Sequence, residues 1–425
     1  MEPVSGSKKK FDYKWIIVAL SFLMVLTCLG FCSSPKSLFI GPVTKALGVS
    51  RGAFSVNDSL RFISTAFINI FFGSLVARFG PKKLICAGFA CLISSQLIYS
   101  FSTNVYVYYI GGILLGLGLS WTTTTMVGCV INKWCKESKG TIMGAVLAAN
   151  GFGGAIAIQI VSPIIESGAF GYRNAYRLVA VILFAVCMLI MFFFKNNPKN
   201  SDLKENTVEK KKSRGRDWDG IEYSKAVKMP YFYFAALLIF LTGLVLQSVT
   251  GIAAQHMRDA KLDPEYVSMV LSIHSLTLAG FKFLTGFLYD RFGLRTTTNI
   301  CSFTAVIVMI LLAMVTNTLA GKIFAMIYGI FSSLALPLET IMLPIYAGDL
   351  FGQKSFNKIL GIFVSVNTAG YAVGAPIINI IFDKVGSYTP GLIGSSILMF
   401  GILIGLQFVI NAANRQHKLQ AEKNR

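Results

Sequence analysis

Twelve runs of predominantly apolar residues, each near twenty long or longer, punctuate this chain of 425 residues. They lie at approximately 15–40, 53–77, 84–101, 105–131, 140–166, 175–194, 231–255, 265–289, 296–316, 320–346, 356–381 and 389–412. A helix of that length crosses about 30 Å of hydrocarbon, and a soluble core has no use for twelve of them. The expectation is an all-α membrane protein with twelve transmembrane helices. Composition agrees, with 54% hydrophobic and 14% charged residues. The first run has no small-residue cleavage site after it, so it reads as a retained helix rather than a signal peptide. The eight cysteines show no metal spacing and sit mostly inside apolar runs, as small fillers.

A net charge of +20 would suggest nucleic acid if the basic residues made one folded face. Instead they follow the loops. With the N-terminus cytoplasmic, 28 of the 39 Lys and Arg fall on the inner side, 8 on the outer side and 3 within spans. That bias predicts cytoplasmic N- and C-termini in a plasma membrane, with anionic lipid heads as neighbours and no nucleic-acid partner. A polar stretch at 195–230, with Lys210, Lys211, Lys212, Arg214 and Arg216, separates residues 1–194 from residues 231–425 as a cytoplasmic linker, read as a solvated tether.

The two parts echo each other. Gly73, Arg78, Phe79 and Gly80 recur as Gly286, Arg291, Phe292 and Gly293, and Gly144, Asn150, Gly153 and Ala155 recur as Gly361, Asn367, Gly370 and Ala372. The offsets are 213 and 217, so the chain reads as two pseudo-symmetric six-helix bundles with a site between them. Small residues at Gly112 and Gly116, and at Gly140, Gly144 and Ala148, have the spacing that lets helix backbones approach. The clusters 151–154 and 370–374 serve either such packing or a bend that gates a cavity.

Gly286, Asp290-Arg291, Gly293 and Arg295, twinned in the first half, resemble the signature loop of the major facilitator superfamily. Within it, the chain is similar to the monocarboxylate and oxalate–formate porters. Three features support this: Ser34-Pro35-Lys36-Ser37, the loop from Asn132 to Gly140, and Lys282 four residues before Gly286. The resemblance implies alternating access, with Gly73, Arg78, Gly286, Asp290 and Arg291 as a conformational latch. It also implies that the span 1 lysine and the span 8 cation serve proton and carboxylate binding. The chain departs from the pattern at Ala77, where the first signature loop carries aspartate. It departs again at Leu278, where the animal branch pairs an aspartate with the cation now at Lys282, and span 11 has no interior lysine of the oxalate-carrier kind. The resemblance further implies a bacterial inner-membrane protein acting as a monomer.

Lys36, Arg61, Lys282 and Glu339 are the ionisable residues this reading places within the spans. A charge there costs about 2.5–3.5 kcal/mol on insertion scales, so each is a functional candidate. Three cations against one carboxylate call for an anion. At ~1.5 Å per residue, Lys282 and Glu339 lie at one level, ~12–13 Å from the inner ends of their spans. They are expected to pair, with Lys36 and Arg61 in an outer tier. Lys282, Arg61 and Lys36 are therefore candidate substrate-binding residues, together with Asn150, Asn367 and Trp121. Glu339, Lys36 and His274 are candidates for proton coupling, and His256 is expected in water at the outer mouth. Each has a structural alternative: a salt bridge for Lys282, snorkelling for Arg61, a helix end for Lys36, backbone satisfaction for Glu339, interhelical bonding for the asparagines. No nucleotide loop, metal cluster or nucleophile triad is present, so neither an enzyme nor a cofactor is expected. The expected function is secondary transport of a small monocarboxylate, by proton symport or anion exchange. An exporter of larger amphipathic compounds and a non-transporting anion sensor are the alternatives.

Overall fold

The computed structural model describes residues 13–135, 139–196, 220–352 and 354–423. The basic part of the linker and the middle of the 132–140 loop lie outside them. Each apolar run becomes a helix because a backbone in lipid must satisfy its own N–H and C=O groups. The first bundle holds α1 (Lys14–Leu47), α2 (Arg51–Phe79), α3 (Pro81–Phe101), α4 (Val105–Trp134), α5 (Lys139–Glu166) and α6 (Gly171–Phe193). The second begins with α7 (Pro230–Asp259). Continuous helix over Pro264–Ala313 is divided at Gly293, whose φ of 78° is not helical, into α8 (264–292) and α9 (294–313). Then follow α10 (Leu319–Phe351, interrupted), α11 (Phe356–Val385) and α12 (Thr389–Lys423). The fold is twelve transmembrane helices in two pseudo-symmetric bundles.

The symmetry is visible in the backbone. Gly80 and its twin Gly293 both have φ of 78° at the turn that ends the second helix of a bundle. That region admits glycine at no steric cost, which explains why both signature loops carry it. The central crossing is repeated too. A Cβ on Gly153 would lie 2.1 Å from the Leu26 carbonyl oxygen, and one on Gly370 would lie 2.2 Å from that of Phe240. Thus α1 meets α5 as α7 meets α11, backbone against backbone. Helix α5 remains regular through 151–154, so these glycines serve packing.

The bundles join through α2 against α11 and α5 against α8. Their polar contacts gather at the face opposite the one that carries Lys14, here called the distal face. Arg51 pairs with Asp259 of α7, and its guanidinium lies 3.8 Å from the Phe382 ring centroid. The backbone N–H groups of Arg51 and Gly52 donate to Asp383 at 3.1 and 2.7 Å, so a carboxylate from the second bundle caps α2. Gly41 N–H donates to Gln255 Oε1 at 2.9 Å, and Arg258 pairs with Glu166 at 2.7 Å. Toward the terminal face α2 stands clear, with exposed Phe67, Ile70 and Phe71. This arrangement is closed distally and open toward the termini. Replacing Asp259 and Asp383 together by asparagine is expected to loosen the distal closure. A cysteine placed at buried Ser37, in a background without the native cysteines, should then react about threefold or more faster with an impermeant maleimide from that side. An unchanged rate would show that these carboxylates do not hold the gate.

Candidate functional site

Pro35 cannot donate a backbone N–H, and α1 tightens to a 3₁₀ turn over Ser34–Phe39 before resuming at Ile40–Leu47. Lys36 is therefore carried at mid-helix. Its Nζ lies 3.1 Å from Asp58 Oδ2 of α2, and the other oxygen of Asp58 lies 3.2 Å from Arg61 Nε. Arg61 Nη1 donates to Ser33 Oγ at 3.0 Å, and only 4% of the residue is exposed. This tight placement depends on α4. A Cβ on Gly116 would lie 2.2 Å from the Arg61 carbonyl oxygen, and one on Gly112 would lie 2.6 Å from that of Asn57. The Phe62 ring lies beneath both cations, 4.2 Å from the Arg61 guanidinium and 5.8 Å from Lys36 Nζ.

The second bundle supplies Glu339. Helix α10 breaks into 3₁₀ turns at Ser332–Leu334 and Leu336–Glu339, the latter started by Pro337, and resumes as helix at Met342–Phe351. Glu339 is 9% exposed, and its Oε1 has no hydrogen-bond partner among the described residues. It faces Tyr371 of α11 and lies in the electrostatic field of Lys36. Seven residues before Glu339, Ser332 Oγ lies 2.8 Å from His274 Nδ1, whose ring is parallel to that of Tyr328 at 6.3 Å.

Between the bundles lies a cavity of about 340 Å³. Ser33, Lys36 and Asn150 line it from one side, and Gln247, Thr250 and His274 from the other. That volume is within the range of small-ligand sites. Asn150 Oδ1 is buried without a partner among the described residues, so a donor is missing there. Ser275 and Leu278 of α8 also line the cavity. Lys282 follows Leu278 by one helical turn on the same face, half-buried, and makes no ion pair among the described residues.

The structure corrects several expectations. Lys36 and Arg61 are not free cations at an outer mouth: both are held by Asp58, a residue the reading of the spans omitted. The signal was the Asp58–Arg61 pair at i, i+3 inside the second apolar run. The charged set is thus three cations against two carboxylates. Glu339 does not oppose Lys282 but shares a level with Lys36, because the 3₁₀ turns of α10 and the length of α1 defeat a uniform 1.5 Å rise. Asn367 is buried between α7 and α11, donating to the Ile239 carbonyl at 3.0 Å, and does not line this cavity. Trp121 packs toward Gly88 of α3, off the cavity wall. His256 is 6% exposed, its Nε2 lying 2.9 Å from the Leu312 carbonyl oxygen, and is not in water. Of the latch residues, Asp290 is exposed on the terminal side, and neither Gly73 nor Gly286 has a neighbour within 4 Å of a would-be Cβ among the described residues.

Known proteins resemble this chain over most of its length. The family model for the Major Facilitator Superfamily matches residues 18–253 and 235–425. Multidrug resistance protein 2 of Bacillus subtilis (strain 168) is 22% identical over 347 residues, covering 80% of this chain and 82% of that protein. Monocarboxylate transporter 13 of Rattus norvegicus is 21% identical over 416 residues, covering 95% and 90%. The crystal structure of nucleoside transporter NupG superposes with a TM-score of 0.72 over 93% of this chain and 99% of that one, at 13% identity. A likeness at that identity concerns the fold alone.

Proposed function

We propose that this chain, which belongs to the Major Facilitator Superfamily, carries a small monocarboxylate across the membrane by alternating access. It is a membrane transporter and not an enzyme; the substrate class and the coupling are the reading advanced here. One observation carries it: Lys282, a cation with no ion-pair partner among the described residues, on the helix face that continues the cavity wall. An ammonium in a membrane interior needs a counter-charge. Here the anionic solute supplies it at Lys282, while the amide N–H groups of Asn150 or Gln247 can donate to a carboxylate or hydroxyl beside it. The similarity to a monocarboxylate transporter supports the same class.

The positive-inside bias makes the terminal face cytoplasmic, so the cavity opens inward and the distal gate is the outer one. Solute bound from outside would release the distal contacts only if it interacts better with the other arrangement. The carrier acts as a monomer in the plasma membrane, with protons or a counter-anion as the coupled species. Proteoliposomes loaded with buffer and offered labelled lactate, pyruvate or formate test the reading. Uptake above empty liposomes, accelerated by an inwardly directed proton gradient or by internal anion, is the expected result. Uptake no greater than that of empty liposomes for all three, with active transport of a neutral or cationic solute, would replace it.

A further inference from the structure

We propose that Asp58 and Glu339, one carboxylate from each bundle, compete for the single ammonium of Lys36, and that Glu339 holds the transported proton whenever Lys36 is on Asp58. This deepens the carrier reading and rests on it for the word transported. The geometry is asymmetric in the distally closed arrangement. Asp58 has two cations, Lys36 at 3.1 Å and Arg61 at 3.2 Å. Among the described residues Glu339 has none in contact and one of its oxygens has no hydrogen-bond partner, while the residue is nine-tenths buried. An uncompensated carboxylate in such a place is destabilised by several kcal/mol, and a proton removes the charge.

Lys36 is placed to change partners. Its 3₁₀ turn packs against α5 of its own bundle and α7 of the other, so its position depends on how the bundles sit. Swung toward Glu339, the ammonium would leave Asp58 to Arg61 alone, and Glu339 would release its proton. Lys36 stays charged throughout, so one proton is taken up or given off per exchange. Bundle arrangement and proton occupancy then become linked equilibria. Few other groups intervene. Around Asp58 there are Arg61 on its own helix, Cys32 on α1 and the Tyr99 hydroxyl on α3, which donates to the neighbouring Asn57 at 3.1 Å. Around Glu339 there are Tyr371 on α11 and, beyond Ser332, His274 on α8; Lys282 is farther along α8. From α7 the cavity is lined by Gln247, Thr250 and Ala253, none of them charged.

Infrared spectroscopy of the full chain in nanodiscs, without substrate, tests this. The expected wild-type spectrum at neutral pH has the carbonyl band of a buried carboxylic acid, and Glu339→Gln removes it. Asp58→Asn frees Lys36 to move to Glu339 and weakens the band by roughly half or more. Lys36→Gln, which removes the competing cation, should retain the band to higher pH than wild type. A band that survives Glu339→Gln, that is unchanged in Asp58→Asn, or whose upper pH limit is unmoved by Lys36→Gln overturns the proposal. The Lys36 variant decides the matter if Asp58→Asn does not fold. In proteoliposomes, Glu339→Gln should lose gradient-driven accumulation while retaining exchange at constant pH. Infrared bands that behave as stated, with no monocarboxylate uptake, would remove the substrate class and leave the proton site standing.

Discussion

Lys282→Gln is expected to lower monocarboxylate uptake by about a hundredfold while leaving the protein folded, with melting temperature unchanged or higher. Truncating one partner of a desolvated charge pair costs about 2–5 kcal/mol of binding, and each 1.4 kcal/mol is tenfold. The stability arm has the opposite sign from the usual expectation for a buried ion. Lys282 has no carboxylate to abandon among the described residues, so its removal leaves no orphaned charge there in the empty protein. It deletes a cation whose presence in the bilayer interior is itself unfavourable by about 2.5–3.5 kcal/mol at the helix centre. Lys282→Arg keeps the charge and should restore part of the uptake. Uptake of labelled lactate into proteoliposomes and thermal unfolding of the same samples check both arms. Full transport with the glutamine would remove Lys282 from the site, and a large fall in melting temperature would make it structural.

Much of the architecture was legible because the bilayer imposes it. Span length and the twin Arg-Phe-Gly segments need no tertiary information, and the twinned Gly80 and Gly293 both take a φ of 78°. The site was legible only by residue type. Lys36, Arg61 and Glu339 drew notice as charges in apolar runs, yet their partners depend on where helices are interrupted. Pro35 and Pro337 announce interruptions without saying that the chain continues as 3₁₀ turns and then as helix. Depth counted at one rise per residue therefore set Glu339 beside the wrong cation. Asp58 was passed over although it stands three residues before Arg61, a spacing at which helix side chains meet. Asn150 and Asn367 are twins in sequence but not in role: one lines the cavity and the other bonds to the Ile239 carbonyl. Symmetry of the repeat fixes the helix crossings and leaves the two walls of the cavity free to differ.

That separation can be measured at the glycines of α5. Gly153→Val is expected to reduce the folded yield roughly tenfold or more. Its Cβ would lie 2.1 Å from the Leu26 carbonyl oxygen and 2.8 Å from the carbonyl carbon, both backbone atoms that no rotamer change can move. Overpacking against flexible side chains costs about 1–3 kcal/mol, and here α1 and α5 themselves must separate. Gly151→Ala addresses a different interface, since its Cβ would lie 2.4 Å from the Ser275 carbonyl oxygen of α8, where the two bundles touch. In a carrier working by alternating access the bundles part and meet, so this clash is expected to leave each bundle folded and to shift the balance away from the distally closed arrangement. Gly144→Ala is the control, with the Phe283 ring 3.7 Å away as its nearest neighbour. Size-exclusion profiles and thermal unfolding of the three variants give the ranking. A Gly153→Val protein as monodisperse and stable as Gly144→Ala would mean that the α1–α5 crossing is looser than the structure has it. Equal unfolding by Gly151→Ala and Gly153→Val would mean that the interface between bundles is as permanent as the packing within one, which a carrier working by alternating access cannot accommodate.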